Sequence, residues 1–112
     1  MADSSWQNLW SGIKPATDEI QGICNVLKSD VESITNKRYE EFRAIIYIDQ
    51  GMAGKSYIVG VSVGNGTGIL LSVYQTSTLK LPDEFREIEI LLMGVSEKWN
   101  PDDPLKPFKG FN

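Results

Sequence analysis

The apolar residues of this chain change period once, from helical to alternating. From Ile20 onward, Ile23, Cys24, Leu27, Val31 and Ile34 recur at spacings of three, one, three, four and three, which is one face of an α-helix. Thr17 stands at the N-cap, and Asp18 and Glu19 sit in the first turn, where the helix dipole favours acids. Pro15 keeps the helix from reaching back through Lys14. The pattern predicts about five turns, ending near Thr35-Asn36. Beyond them the chain reads as strands. Tyr39 to Ile48 is rich in β-branched and aromatic residues, and in Lys55 to Val63 the residues Tyr57, Val59, Val61 and Val63 alternate with smaller or more polar ones. Ile69 to Gln75 places Ile69, Leu71 and Val73 on one face, and Ile88 to Val95 makes a last strand. One helix packed across one face of four antiparallel strands is an α+β roll.

The connections carry their own signals. Gly64-Asn65-Gly66-Thr67-Gly68 is a tight turn with several positions free to take positive φ. The longer loop from Thr76 to Glu87 contains Leu79, Leu81 and Pro82. Gln50-Gly51-Met52-Ala53-Gly54, between the first two strands, has the length and glycines of a hairpin tip. A tip facing only water favours Asn, Asp and Ser, yet this one holds Met52 and Ala53 between two glycines. Small, apolar residues there point to a wedge that enters another molecule's cleft.

Length and composition fit one domain spanning 1–112, with 1–12 as an N-terminal extension or binding segment and 100–112 as a proline-rich tail. In the extension, Trp6, Leu9 and Trp10 suit either a turn folded onto the domain or part of a binding surface. Eleven basic against fifteen acidic residues, net −4 with no Lys/Arg cluster, argue against nucleic acid as a partner. No apolar run approaches the roughly 18 residues that cross a bilayer, so no membrane partner is expected. The first residues lack the charge and apolar pattern of a signal peptide, and a lone cysteine fits a reducing compartment, so a cytoplasmic location is expected.

Chemistry is mostly excluded. Without histidine there is no Ser-His or Cys-His nucleophile pair and no His-based zinc site. Cys24, on the apolar face of the helix, reads as a core residue. The carboxylate pairs Glu40-Glu41 and Asp102-Asp103 read as solvated faces. Gly54-Lys55-Ser56 looks like the end of a P-loop, but a strand follows it rather than the helix on which a phosphate would sit. Asn65-Gly66-Thr67 fits a glycosylation acceptor, which matters only on a secretory route. No enzyme, cofactor or metal is expected.

The order of the pieces resembles the stefins, the single-domain intracellular branch of the cystatin superfamily. Lys14-Pro15-Ala16-Thr17-Asp18-Glu19-Ile20-Gln21 is similar to the stefin lead-in to the helix, and Asn36-Lys37-Arg38-Tyr39 with Phe42-Arg43-Ala44 to the helix exit and second strand. Gln50 to Gly54 with Ser56-Tyr57-Ile58-Val59 resembles the Gln-x-Val-x-Gly hairpin, with Met52 in place of the valine. Leu71-Ser72-Val73-Tyr74-Gln75, Leu92-Met93-Gly94 and Asp102-Asp103 with Leu105 resemble the later strands and the tail.

The resemblance implies a cystatin-like roll, with one long helix across a four- to five-stranded antiparallel sheet. It also implies tight, reversible inhibition of papain-like cysteine proteases such as cathepsins, by a wedge of an N-terminal segment and two hairpin tips. The residues it places in that wedge are Gly12, then Gln50, Gly51, Met52, Ala53 and Gly54, then Leu81 and Pro82. A monomer is expected, with a domain-swapped dimer as an open variant. The alternative is a cystatin-like fold serving as a non-inhibitory interaction module.

Overall fold

The helix begins where its cap residue predicts. In the computed structural model, which describes residues 10–51, 55–76 and 89–102, α1 runs Asp18–Thr35. Thr17 caps it, its hydroxyl accepting the Ile20 N–H at 3.2 Å. Asn36 ends it in the left-handed region at φ 62°, its N–H donating to the Glu32 carbonyl at 2.8 Å. Ile20, Ile23, Cys24, Leu27 and Val31 are buried. Ile34 is not: it is 63% exposed although it shares their helical phase. The predicted face is right as far as Val31, and Ile34 lies outside the buried set.

Among the described residues, five antiparallel strands form one sheet in chain order: β1 Lys14–Pro15, which the sequence pattern did not announce, β2 Arg43–Gly51, β3 Lys55–Gly64, β4 Thr67–Gln75 and β5 Ile90–Trp99. Three boundaries differ from the alternation. Tyr39 and Phe42, read as the start of a strand, instead lie in the connection before β2, where both rings enter the core 5.6 Å apart. The last strand runs to Trp99 rather than stopping at Val95. Between β3 and β4 only Asn65 and Gly66 remain unpaired, at φ 58° and 72°, which are type I′ angles that asparagine and glycine tolerate.

Alternation sorts the strands onto two faces. Toward α1 point Tyr57, Val59 and Val61 of β3 and Ile69, Leu71 and Val73 of β4, which make the main core with the apolar side of the helix. Cys24 is fully buried among them as a free thiol, as the helical pattern predicts. Gln21 ties the helix to the start of β2, its amide accepting the Ala44 N–H at 2.8 Å and donating to the Phe42 carbonyl at 3.0 Å. The opposite face carries a second cluster of Trp10, Ile48, Ile58, Leu70 and Trp99. The Trp99 indole lies flat on two glycines of adjacent strands: a Cβ on Gly60 would come within 2.4 Å of the ring, and one on Gly68 within 2.6 Å. Both strand glycines therefore make room for a side chain.

Candidate functional site

The sheet topology brings three segments to one end. The segment before β1 runs antiparallel to β2, pairing Lys14 with Tyr47 and Pro15 with Ile46, so its earlier residues lie alongside the end of β2. Pro15, which lacks an N–H, sits on the edge strand, where a missing donor costs least. Gly51 at the end of β2 pairs with Lys55, Lys55 with Gln75, and Gln75 with Ile90. The β2–β3 and β4–β5 connections thus leave from the same end as the N-terminal arm. Strands stand about 4.8 Å apart, so arm and loop bases form a line roughly 20 Å across.

The arm is held by a compact set of bonds. The Ser11 N–H donates to the Asp49 carbonyl at 2.8 Å, and the Asp49 N–H donates to Ser11 Oγ at 3.0 Å. The same hydroxyl donates to the Gly12 carbonyl at 2.8 Å. Lys14 Nζ reaches Asp49 Oδ1 at 3.4 Å and lies 5.6 Å from the centre of the Tyr47 ring. That exposed ion pair contributes little by itself. Further along, the Ala16 N–H donates to the Ile45 carbonyl at 2.9 Å. Beside Asp49, across the β2–β3 ladder, Tyr57 is buried, and burial together with Glu19, Asp49 and Tyr47 raises its phenol pKa. The base of the β4–β5 connection is closed by the Thr76 N–H donating to the Glu89 carbonyl and the Glu89 N–H donating to Thr76 Oγ1, both at 3.0 Å.

The described candidate residues fall into this line. Gly12 is exposed on the arm, and a Cβ there would meet nothing within 4 Å. Gln50 and Gly51 belong to β2, paired with Ser56 and Lys55, rather than to a five-residue turn. Met52, Ala53, Gly54, Leu81 and Pro82 lie outside the described residues, as does Trp6. Lys55, the lysine of the P-loop lookalike, opens a strand. The polar depression of about 320 Å³ lined by Ser29, Glu32, Asn36 and Lys37 is at the helix exit, where Lys37 pairs with Glu97. It plays no part in the line.

No family model matches the chain. Curated relatives do. It is 40% identical to leukocyte cysteine proteinase inhibitor 1 of Sus scrofa and 45% identical to cystatin-A8 of the same species, in each case over 85% of this chain and 86% of the relative. With cystatin-A of Bos taurus it shares 37% identity over 85% of this chain and 91% of the relative. The chain belongs to the stefins, the type-1 cystatins. The α+β roll of this stefin follows the family resemblance, and its relatives carry the names of inhibitors rather than enzymes.

The sequence reading missed the residues that fix the arm of this stefin. Ser11 and Asp49 carry no motif, and only their pairing across 38 positions makes them visible. Trp99 left a fainter trace, in glycines at 60 and 68 inside otherwise apolar strand runs. Trp10, open between two readings, is folded onto the domain with 8% of its surface exposed.

Proposed function

We propose that this stefin is a reversible, tight-binding inhibitor of papain-like cysteine proteases, cathepsins among them, and that it fills the active-site cleft with its arm and two loops. One observation carries the mode of action: the arm around Gly12, the end of β2 at Gln50 and Gly51, and the base of the β4–β5 connection stand in one line at one end of the sheet. A rigid sheet that presents three segments together loses little entropy on docking. In this reading Gln50 anchors the first loop, Met52 lays a flexible thioether against the cleft wall, and Gly51, Ala53 and Gly54 let backbone approach backbone. Leu81 and Pro82 form the third element. The protein offers no scissile bond to the protease thiol. Relatives named as inhibitors weigh against a non-inhibitory module. We place the protein in the cytoplasm, where a lone thiol such as Cys24 stays reduced, as a monomer able to exchange its first hairpin between copies.

Titration against active papain, followed by substrate hydrolysis, tests the reading. Loss of protease activity at or below micromolar inhibitor is expected, and no loss at that concentration overturns it. Gly54→Glu and Met52→Asp should each weaken inhibition at least tenfold while leaving the urea midpoint nearly unchanged. A large drop in the midpoint would make the loop a structural element instead.

A further inference from the structure

The segment from Trp10 to Ala16 is an arch with two feet. One foot is edge pairing, where Lys14, Pro15 and Ala16 bond along β2. The other is Trp10, 8% exposed and packed in the cluster with Ile48, Ile58, Leu70 and Trp99 on the face away from the helix. Between the feet the chain turns outward: Gly12 is exposed and Ile13 is 48% exposed. Ser11, next to the buried foot, links Asp49 to Gly12 through one hydroxyl that accepts from the first and donates to the second. The remaining members of the cluster come from strands, whereas Trp10 precedes the first of them.

We propose that Trp10 is a positioning residue for protease binding. Seated against the Trp99 cluster, it holds Ser11 on Asp49 and keeps Gly12 and Ile13 displayed along the last residues of β2 before any protease arrives. Binding therefore does not have to order the arm, and affinity gains what ordering those residues would cost. The role rests on the inhibitor reading above and adds to it a residue that never touches the protease. Trp10 acts through the arm.

The test compares Trp10→Ala, Trp10→Phe and Leu70→Ala with the wild type, by inhibition constant against papain, by urea midpoint and by amide hydrogen exchange. Leu70 lies in the same cluster but on β4, remote from the arm in the chain, so its truncation lowers stability without releasing the arm. Trp10→Ala should raise the inhibition constant at least tenfold, Trp10→Phe should recover most of that loss, and Leu70→Ala should stay within twofold of wild type. In Trp10→Ala the amides of Ser11 and Asp49 should exchange faster, while that of Ala16, on the other foot, keeps its protection. A Trp10→Ala constant within twofold of wild type, or a Leu70→Ala loss as large as that of Trp10→Ala, overturns the positioning role and leaves the inhibitor reading standing. Wild-type protein that fails to inhibit papain overturns the inhibitor reading, and the role assigned to Trp10 falls with it.

Discussion

Replacing Gly60 by alanine adds one methyl group where there is no room for it. The new Cβ would lie 2.4 Å from Cη2 of Trp99 and 2.8 Å from both Cζ2 and Cζ3, so three ring atoms are inside any tolerable contact. Nor can the indole slide toward the adjacent strand without crowding it, because a Cβ at Gly68 would likewise meet Cε3 at 2.6 Å, so only a glycine fits under the ring there as well. Relief requires the ring to lift by about 1 Å, which opens a gap over β3 and β4 and forfeits much of its dispersion contact. Overpacking of a rigid core costs about 1–3 kcal/mol, and a rigid aromatic edge over backbone belongs at the upper end. Alanine is preferred over glycine within a strand by about 0.5–1 kcal/mol, which offsets part of this. The net expectation is about 2 kcal/mol, or roughly 10 °C in Tm for a chain of this size. Urea unfolding followed by far-ultraviolet circular dichroism and by tryptophan fluorescence measures it. The decisive comparison is a double-mutant cycle: in a Trp99→Leu background Gly60→Ala should cost less than about 0.5 kcal/mol, giving a coupling of at least about 1.5 kcal/mol. The reasoning is refuted if Gly60→Ala is neutral in the wild type, or costs the same in both backgrounds.

Two further outcomes follow from the main core. Burial pushes the Cys24 thiol from 9.0 up to about 12, so above pH 9 the unfolded chain releases a proton that the folded chain keeps. Stability is then unaffected by this group below pH 9 and falls by about 1.4 kcal/mol per pH unit from there toward pH 12. Urea midpoints of wild type and Cys24→Ala should converge over that interval, whereas a gap independent of pH would show that the thiol ionises equally in both states. Gln21→Ala removes both bonds to the Phe42–Ala44 backbone and should cost about 1–2 kcal/mol, since the freed groups are only partly buried. Gln21→Glu keeps an acceptor for Ala44 but sets an oxygen against the Phe42 carbonyl, so its deficit should shrink as pH falls through the carboxyl range. A deficit that does not change with pH would mean that the bond to Phe42 contributes nothing.

Local chemistry was legible without coordinates. The helix start followed from Thr17 and the acids behind it, its end from Asn36, and its buried face from Ile20 to Val31. The period-two runs gave β3 and β4 almost to the residue, because their helix-facing positions are continuously apolar and a shift by one would turn all of them away from the helix. Ile34, Tyr39 and Phe42 went the other way, since periodicity reports which side of an element is apolar but not where the neighbouring layer ends. The family kinship, too, was readable from short segments standing in order.

What the sequence by itself determined is therefore the helix, the four strands after it, their inward faces and the three segments proposed above to meet a protease, whereas the edge strand β1 came only from the structure. Tertiary structure alone decided how one of those segments is held. Ser11 meets Asp49, Trp10 joins the cluster of Trp99, and Gly60 and Gly68 lie under the same indole, through pairings separated by tens of residues. Such contacts leave no periodic trace, because each depends on strand register and on the packing of a sheet face rather than on neighbours in the chain. The arm beside the first loop is a product of the folded sheet.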